Sequence, residues 1–199
     1  MQIEKKINLN NTCHCYHLHN ALDNISISSL NLMYALTNIL QNEDPKPDNV
    51  INGNTKGSYC DIIGISLLNA FIPTVKEVVG EDVYPTYAYT REYSKGSELI
   101  SHRDRDSCEI SLSITLKQDK DIEKFYISTK DKVDSLKEDI ISVNLLEGDG
   151  VIFFGTESNN QNWHWRDPIE SDSVLQFFLH YCYKNGQYAN HAYEWIKKG

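Results

Sequence analysis

The chain has 199 residues, of which 40% are hydrophobic, and it carries a formal net charge of −9 at pH 7. This length and apolar content predict a single domain, residues 1–199, with enough apolar side chains for a proper core. The negative charge argues against nucleic acid as the main partner. No apolar run is long enough to predict a membrane span, and the N-terminal segment lacks the apolar core of a signal peptide. We therefore expect a cytoplasmic protein.

The segment from Cys13 to His19 contains two cysteines and three histidines. Zinc prefers these ligands, so a zinc site is one interpretation of the segment. However, a second ligand pair at finger spacing is missing, and Cys13, Cys15, His17 and His19 would share one face of a strand, which is awkward for tetrahedral ligation. We favour an ordinary strand or loop. The five cysteines have no framework spacing, so reduced thiols are expected.

Two helical patterns follow. Residues 26–42 place apolar side chains, among them Met33 and Leu36, at near-helical spacing. Residues 59–79 carry a second pattern that Pro73 should break or kink. We expect these helices to brace one face of a sheet and their apolar residues to be core.

The remainder of the chain has the patterns of β-strands. Residues 109–116 alternate apolar and polar, which predicts a half-buried strand, and the charged segment 117–137 predicts a solvated loop or hairpin. The strand-like segments are 87–93, 109–116, 125–127, 145–154 (two strands around a Gly-Asp-Gly turn) and 174–181.

His102 and Asp104 are two residues apart at the end of a predicted strand, so their side chains point to the same side. His164, on a distant segment, can complete a face around one metal ion. Two histidines and one carboxylate form the triad of non-haem Fe(II) oxygenases, which leaves three coordination positions open. We therefore predict a metal site at these three residues. His180 is the competing distal ligand, but it sits in an apolar strand and is expected to be a hydrogen-bonded core residue.

The succession Tyr-x-x-Gly, His-x-Asp, Leu-x-x-Gly-Asp and a distal His resembles the double-stranded β-helix (jelly-roll) core of Fe(II)/2-oxoglutarate-dependent oxygenases, in particular the prolyl-4-hydroxylase-like branch. The resemblance covers residues 84–184. The matching positions are Tyr93 and Gly96 in the first core strand and turn, His102 and Asp104 after the second strand, Gly148-Asp149 before the seventh, and His164 on it.

This resemblance implies a mainly β fold with flanking helices (α+β). The jelly-roll core, 84–184, would be supported by an N-terminal region, 1–83, and followed by a C-terminal tail, 185–199. It also implies Fe(II) and 2-oxoglutarate as cofactors, with His102, Asp104 and His164 as iron ligands.

One element departs from the family pattern. The family places an Arg or Lys about ten residues after the distal histidine, to pair with the far carboxylate of 2-oxoglutarate, and residues 172–176 contain neither. Arg166 is the best replacement, because two residues past His164 on a strand it would share that residue's face. Arg91 and Arg105 are the alternatives.

Three alternating tyrosines, Tyr87, Tyr89 and Tyr93, should face one side of their strand. Core packing accounts for most of this pattern, and a hydrogen bond from one of them to the co-substrate, with Tyr93 as our choice, is the other interpretation. Cys108 follows the Asp104 turn closely, and we expect it to be structural, with a place in the pocket wall as the alternative.

The leading hypothesis is an oxygenase that hydroxylates a small-molecule or peptidyl substrate while it converts 2-oxoglutarate to succinate. The missing base keeps open a cupin-like metal-binding protein that does not use 2-oxoglutarate. A non-catalytic jelly-roll binding module is the third hypothesis. The sequence leaves the identity of the substrate and the oligomeric state open.

Overall fold

The computed structural model describes residues 1–37, 39–41, 49–120, 123–156 and 162–197. The strands within these residues are β1 (Gln2–Ile7), β2 (His14–His19), β3 (Ile51–Asn52), β4 (Thr55–Tyr59), β5 (Val83–Ser94), β6 (Glu98–His102), β7 (Ile110–Gln118), β8 (Lys124–Ser128), β9 (Ile141–Asn144), β10 (Gly150–Phe153), β11 (Trp163–Arg166) and β12 (Ser173–Tyr183). The α-helices are α1 (Asn24–Thr37), α2 (Ile62–Ala70), α3 (Ile72–Val79) and α4 (Glu194–Lys197). The prediction of a mainly β protein is confirmed.

The strands form two antiparallel sheets. One has the order β1-β2-β10-β7-β12-β5-β4, and the other has the order β3-β6-β11-β8-β9. Side chains of both sheets, such as Tyr93 and Val151 from the first and Phe125 and Val143 from the second, pack into one buried cluster between them. A second cluster joins the other face of the larger sheet to the helices. Each sheet therefore contributes one face to the space that holds the site described below.

β7 is buried on both faces, except at Lys117. The prediction of a half-buried strand at 109–116 was wrong in this respect. β7 lies in the interior of the larger sheet between β10 and β12, with helices over one face and the smaller sheet over the other. Its serines and threonines are consequently buried as well, which becomes important for the site.

α1 is shorter than predicted and less buried. It ends at Thr37, residues 39–41 form a short 3₁₀ turn, and residues 38 and 42 of the predicted helix lie outside the described residues. Met33 and Leu36 are 45% and 73% exposed. The expectation that all apolar residues of this helix are core was therefore wrong. The apolar residues of α1 are distributed around the helix, and only those on one face pack against the sheet.

The second helical segment breaks as predicted, although its first residue, Tyr59, belongs to β4. Pro73 stands in the first turn of α3, and α2 and α3 meet at an angle of 43°. The Asp61 carboxylate caps α2 by accepting hydrogen bonds from the N–H groups of Ile63 and Gly64 at 3.0 and 2.9 Å. Among the described residues, no single helix is long and apolar enough to cross a membrane, and only this bent pair passes by length and composition.

Candidate metal centre

Three side chains with metal-binding atoms converge where β6 and β11 pair. His102 and His164 lie directly opposite each other across these strands, and their ring centroids are 4.2 Å apart. Asp104 follows β6, and its Oδ1 lies 3.7 Å from His102 Nε2 and 3.6 Å from His164 Nε2. Metal–ligand bonds of about 2.0–2.2 Å separate neighbouring ligand atoms by about 3–4 Å. The structure thus brings the three predicted residues to a spacing that one cation can bridge.

Both histidines turn the same ring nitrogen toward Asp104. His102 Nδ1 lies 2.7 Å from the carbonyl oxygen of Ile100, and His164 Nδ1 lies 3.3 Å from that of Asn162. A carbonyl oxygen only accepts hydrogen bonds, so Nδ1 carries the proton in each ring and Nε2 keeps a lone pair. Backbone contacts of this kind orient histidines that bind metals. Nε2 of each ring is therefore the atom available to a cation.

The protonation states also suit a metal. Burial and the neighbouring His102 lower the pKa of His164 to about 4. Burial alone would raise the pKa of Asp104, but His164, His102 and His180 outweigh it and hold the pKa well below its usual range. Metal ligands must be deprotonated, as a neutral imidazole or an ionised carboxylate. His164 and Asp104 are in those forms at neutral pH.

Asp104 is anchored on the side away from the two histidines. Ser111 Oγ, on β7, donates a hydrogen bond to Asp104 Oδ2 at 3.0 Å, and the Asp104 backbone N–H donates to the carbonyl of Gly155 at 3.0 Å. A Cβ at residue 155 would lie 2.8 Å from Asp104 Cβ and 2.9 Å from its Cγ, so only glycine fits there. Neither Ser111 nor Gly155 could be predicted from the sequence, because nothing local in it relates them to Asp104.

His180 is connected to the metal centre through Ser111 instead of joining it directly. Its Nδ1 lies 2.9 Å from Ser111 Oγ, and burial lowers its pKa to about 4. Its ligand atom groups with those of Asp104 and Cys108, not with those of the other two histidines. The position agrees with the predicted hydrogen-bonded core histidine. Cys108 is buried beside the Tyr87 hydroxyl at 3.1 Å, and burial raises the pKa of its thiol.

Ser111→Ala should lower metal affinity by about 10–100-fold, the usual effect of removing a hydrogen bond to a ligand. The Asp104 carboxylate would lose the contact that directs its Oδ1 at the histidines. Ser113→Ala is the matched control, because Ser113 is buried on the same strand and its hydroxyl has no hydrogen-bond partner among the described residues. Metal titrations of both variants check this prediction, and equal losses would contradict it.

Gly155→Ala should also lower metal affinity, because the new methyl group would displace the Asp104 side chain. We expect a loss of at least about 10-fold. Gly80→Ala is the control. Gly80 ends α3 with φ +76°, and an added Cβ meets nothing within 4 Å, so this change costs stability without touching the site. Thermal unfolding and metal titration together separate the two effects.

A cavity of about 120 Å³ opens beside the metal centre. Alternate residues of β5 form one wall, as the alternation predicted, and aromatic rings of β8 and β10 form another. The Phe125 and Phe153 rings lie 5.6 and 4.7 Å from that of His164. The residues that line the cavity and take part in the argument below are Tyr87, Tyr89, Arg91, Tyr93, His102, Asp104, Phe125, Phe153, His164 and His180.

Arg166 lies at the end of β11, two residues after His164. Its guanidinium carbon is 5.3 Å from the centre of the Phe125 ring, which His164 also contacts, so both residues lie on the Phe125 side of β11. Phe125 lines the cavity, and Arg166 lies behind it. Arg166 is 1% exposed, and none of its guanidinium nitrogens has a hydrogen-bond partner within the described parts of the chain. A buried cation without a partner is costly, so this side chain suits an anionic ligand.

Tyr93 shares this property with Arg166. It is fully buried, and its hydroxyl has no hydrogen-bond partner among the residues described. The ring lines the cavity. Burial lowers the pKa of Arg166, and the nearby Tyr93 and Glu123 only partly offset this. A buried hydroxyl without a partner is unusual in native proteins, so Tyr93 can donate a hydrogen bond to a ligand that reaches Arg166.

The two alternative arginines have other surroundings. Arg91 is 5% exposed, lines the cavity and stacks over Tyr89, with 4.8 Å from its guanidinium carbon to the ring centre. Arg105 is exposed, its guanidinium carbon lies 4.4 Å from the centre of the Tyr87 ring, and it pairs with Glu194, at 2.9 Å between Nη1 and Oε1. Its cationic group is therefore already neutralised.

The segment from Cys13 to His19 largely forms β2, as favoured from the sequence. Cys13 and Cys15 are buried between the sheets, and Cys13 Sγ contacts Asn162 Oδ1 at 2.8 Å. The cysteines therefore do not gather with the histidines around a zinc site. His17 and His19 have different partners, which are described below.

No family model matches the chain, and no curated protein matches it. Solved structures do match. An oxidoreductase of the 2OG-Fe(II) oxygenase family from Burkholderia pseudomallei has a TM-score of 0.65 at 13% identity, with 86% of each chain covered. A prolyl-4-hydroxylase from Pseudomonas putida has a TM-score of 0.60 at 11% identity, covering 84% of this chain and 91% of that one. HygX from Streptomyces hygroscopicus, solved with nickel, 2-oxoglutarate and hygromycin B, has a TM-score of 0.62 at 14% identity, covering 87% and 84%.

At such identities the likeness establishes the fold. The chain has the fold of the 2OG-Fe(II) oxygenases, including prolyl-4-hydroxylases. The resemblance predicted from the sequence is therefore confirmed for the fold. The convergence of His102, Asp104 and His164 is shown by the distances in this chain and not by the comparisons.

Proposed function

We propose that this protein is an Fe(II)- and 2-oxoglutarate-dependent oxygenase with a jelly-roll core, and that it hydroxylates a small-molecule or peptidyl substrate. One observation carries the proposal. A two-histidine, one-carboxylate group includes His164 of β11, and the same strand carries a buried arginine, Arg166, that has no hydrogen-bond partner among the described residues. The first part suits Fe(II), and the second suits the far carboxylate of a keto diacid. The fold and the ligands named for HygX support this combination.

His102, Asp104 and His164 would hold Fe(II) and leave three coordination positions open. Together with 2-oxoglutarate and dioxygen, the iron supplies the oxidation of a substrate C–H bond to C–OH, and 2-oxoglutarate is converted to succinate and carbon dioxide. The chain's own residues bind and orient. Arg166 would hold the far carboxylate with two parallel hydrogen bonds, and Tyr93 would donate a third.

The remaining residues preserve this arrangement. Ser111 and Gly155 keep Oδ1 of Asp104 directed at the two histidines. Phe125 and Phe153 shield the His164 side of the cavity from water, which strengthens electrostatic contacts inside it. The tyrosine-lined wall formed by β5 is where we propose that the substrate lies.

The test measures cofactor binding and turnover. Anaerobic addition of 2-oxoglutarate to the Fe(II)-loaded protein should produce a visible metal-to-ligand charge-transfer band, and admission of oxygen should release succinate even without substrate. Asp104→Ala should do neither. Stoichiometric iron binding without the band or succinate would favour the cupin-like alternative, and failure to bind iron would favour a binding module.

A further inference from the structure

A second cluster of metal-binding side chains lies where β1 pairs with β2. It consists of Glu4, His17 and His19, and we call it the β1–β2 cluster. Glu4 lies directly opposite His17 in the strand pairing, and His19 Nε2 is 3.1 Å from Glu4 Oε2. One ligand atom from each of the three residues lies within 4.8 Å of the others. The ring centroids of the two histidines are 3.8 Å apart.

His17 provides an independent indication of a ligand. Its side chain is 5% exposed, and its Nε2 lies 3.0 Å from Asp149 Oδ2. An ionised carboxylate only accepts, so Nε2–H is the donor, and burial lowers the pKa of the ring so that it stays neutral. Nδ1 then holds a bare lone pair, and this buried atom has no hydrogen-bond partner in the described part of the chain. A carboxylate behind a histidine is the usual second partner of a metal-binding imidazole.

The ligand types define the class of cation. Two imidazoles and a carboxylate suit zinc and similar first-row divalent ions, whereas calcium and magnesium prefer oxygen ligands throughout. Lys6 is the competing cation, because its Nζ lies 3.1 Å from Glu4 Oε2. The Lys6 side chain is 27% exposed and can turn its amine to solvent, while Glu4 and Asp149 together leave the neighbourhood net negative.

We propose that the β1–β2 cluster binds a zinc-type divalent cation, with Asp149 as the residue that orients His17. The site joins three parts of the chain. β1 is the outermost strand of the larger sheet, β2 is its neighbour, and Asp149 belongs to the turn before β10. A bound cation would therefore link the edge strand β1 to its neighbour β2. Because it would bind the folded protein and not the unfolded chain, it would stabilise the folded state.

The test uses the full chain with the iron site disabled by His102→Ala and Asp104→Ala, which also removes the Asp104–Cys108–His180 group. This protein should bind one equivalent of zinc and show a tetrahedral cobalt(II) spectrum, and zinc should raise its melting temperature. Glu4→Gln and His19→Gln, at partly exposed positions, should each weaken zinc binding by at least about 10-fold and remove the thermal shift.

His14→Gln is the matched control, because His14 lies on the same strand but on its other face. It should bind zinc like the parent protein. Circular dichroism verifies the fold of every variant. The proposal is overturned if the parent binds no stoichiometric zinc, if the Glu4→Gln/His19→Gln double variant keeps it, or if His14→Gln loses it equally.

Discussion

Arg166→Met should weaken 2-oxoglutarate binding by about 2–4 kcal/mol and leave iron affinity almost unchanged. Methionine keeps most of the side-chain volume beside Phe125 but removes the only charge that we expect to meet the far carboxylate. Titration of 2-oxoglutarate into the Fe(II) protein, followed by the charge-transfer band, measures the change. Arg103→Met is the matched control, since Arg103 stacks on Trp163, at 4.6 Å to the ring centre, and not on the cavity-lining Phe125 ring that Arg166 contacts.

Arg166→Met should also make the folded protein more stable when iron and 2-oxoglutarate are absent. The Arg166 guanidinium is buried and lacks a hydrogen-bond partner among the described residues, so its removal should raise the free energy of unfolding by about 1–4 kcal/mol. Urea unfolding in the presence of a chelator measures this. A gain in stability together with a loss of 2-oxoglutarate binding would mark Arg166 as a residue kept for function.

If the dissociation constant for 2-oxoglutarate is unchanged in Arg166→Met, then another arginine binds the far carboxylate. Arg91 is then the next choice, because it is buried and lines the cavity. Arg105 is already paired with Glu194. Arg91→Met under the same titration distinguishes the two remaining possibilities.

Asp104→Ala and His102→Ala should each reduce iron binding more than the approximately 10–100-fold loss typical of an outer hydrogen-bond partner. Each change removes one of the three protein ligands. The two that remain are too few to hold a cation whose other coordination positions are left open for small ligands. The fold should survive, because His102 is the last residue of β6 and Asp104 follows it, and the two side chains keep 16% and 12% of their surface exposed. Iron stoichiometry and circular dichroism on the same samples measure both effects.

His180→Ala is the informative control for these variants. His180 touches Ser111, not the ring nitrogens of the other two histidines, so iron binding should fall less than in Asp104→Ala. If His180→Ala loses iron completely while His164→Ala retains it, then the competing assignment of the distal ligand is correct.

The local sequence predicted the parts of the site that depend on strand alternation. His102 and Asp104 could be placed together because they are two residues apart, and Arg166 could be placed on the face of His164 for the same reason. The alternation of Tyr87, Tyr89 and Tyr93 likewise predicted a common wall. Such inferences use only the two-residue repeat of a strand, which holds wherever the strand lies in the fold.

Only the tertiary structure decided which strands meet. Ser111 and Gly155 reach Asp104 because β7 and the segment after β10 lie beside the end of β6, and no local pattern encodes that approach. The burial of β7 on both faces and the exposure of Leu36 depend in the same way on what packs against each element. Glu4 likewise meets His17 and His19 through strand pairing, and Asp149 reaches His17 from a turn far along the chain. Side-chain periodicity is a local property, whereas the pairing of distant strands depends on burial across the whole chain.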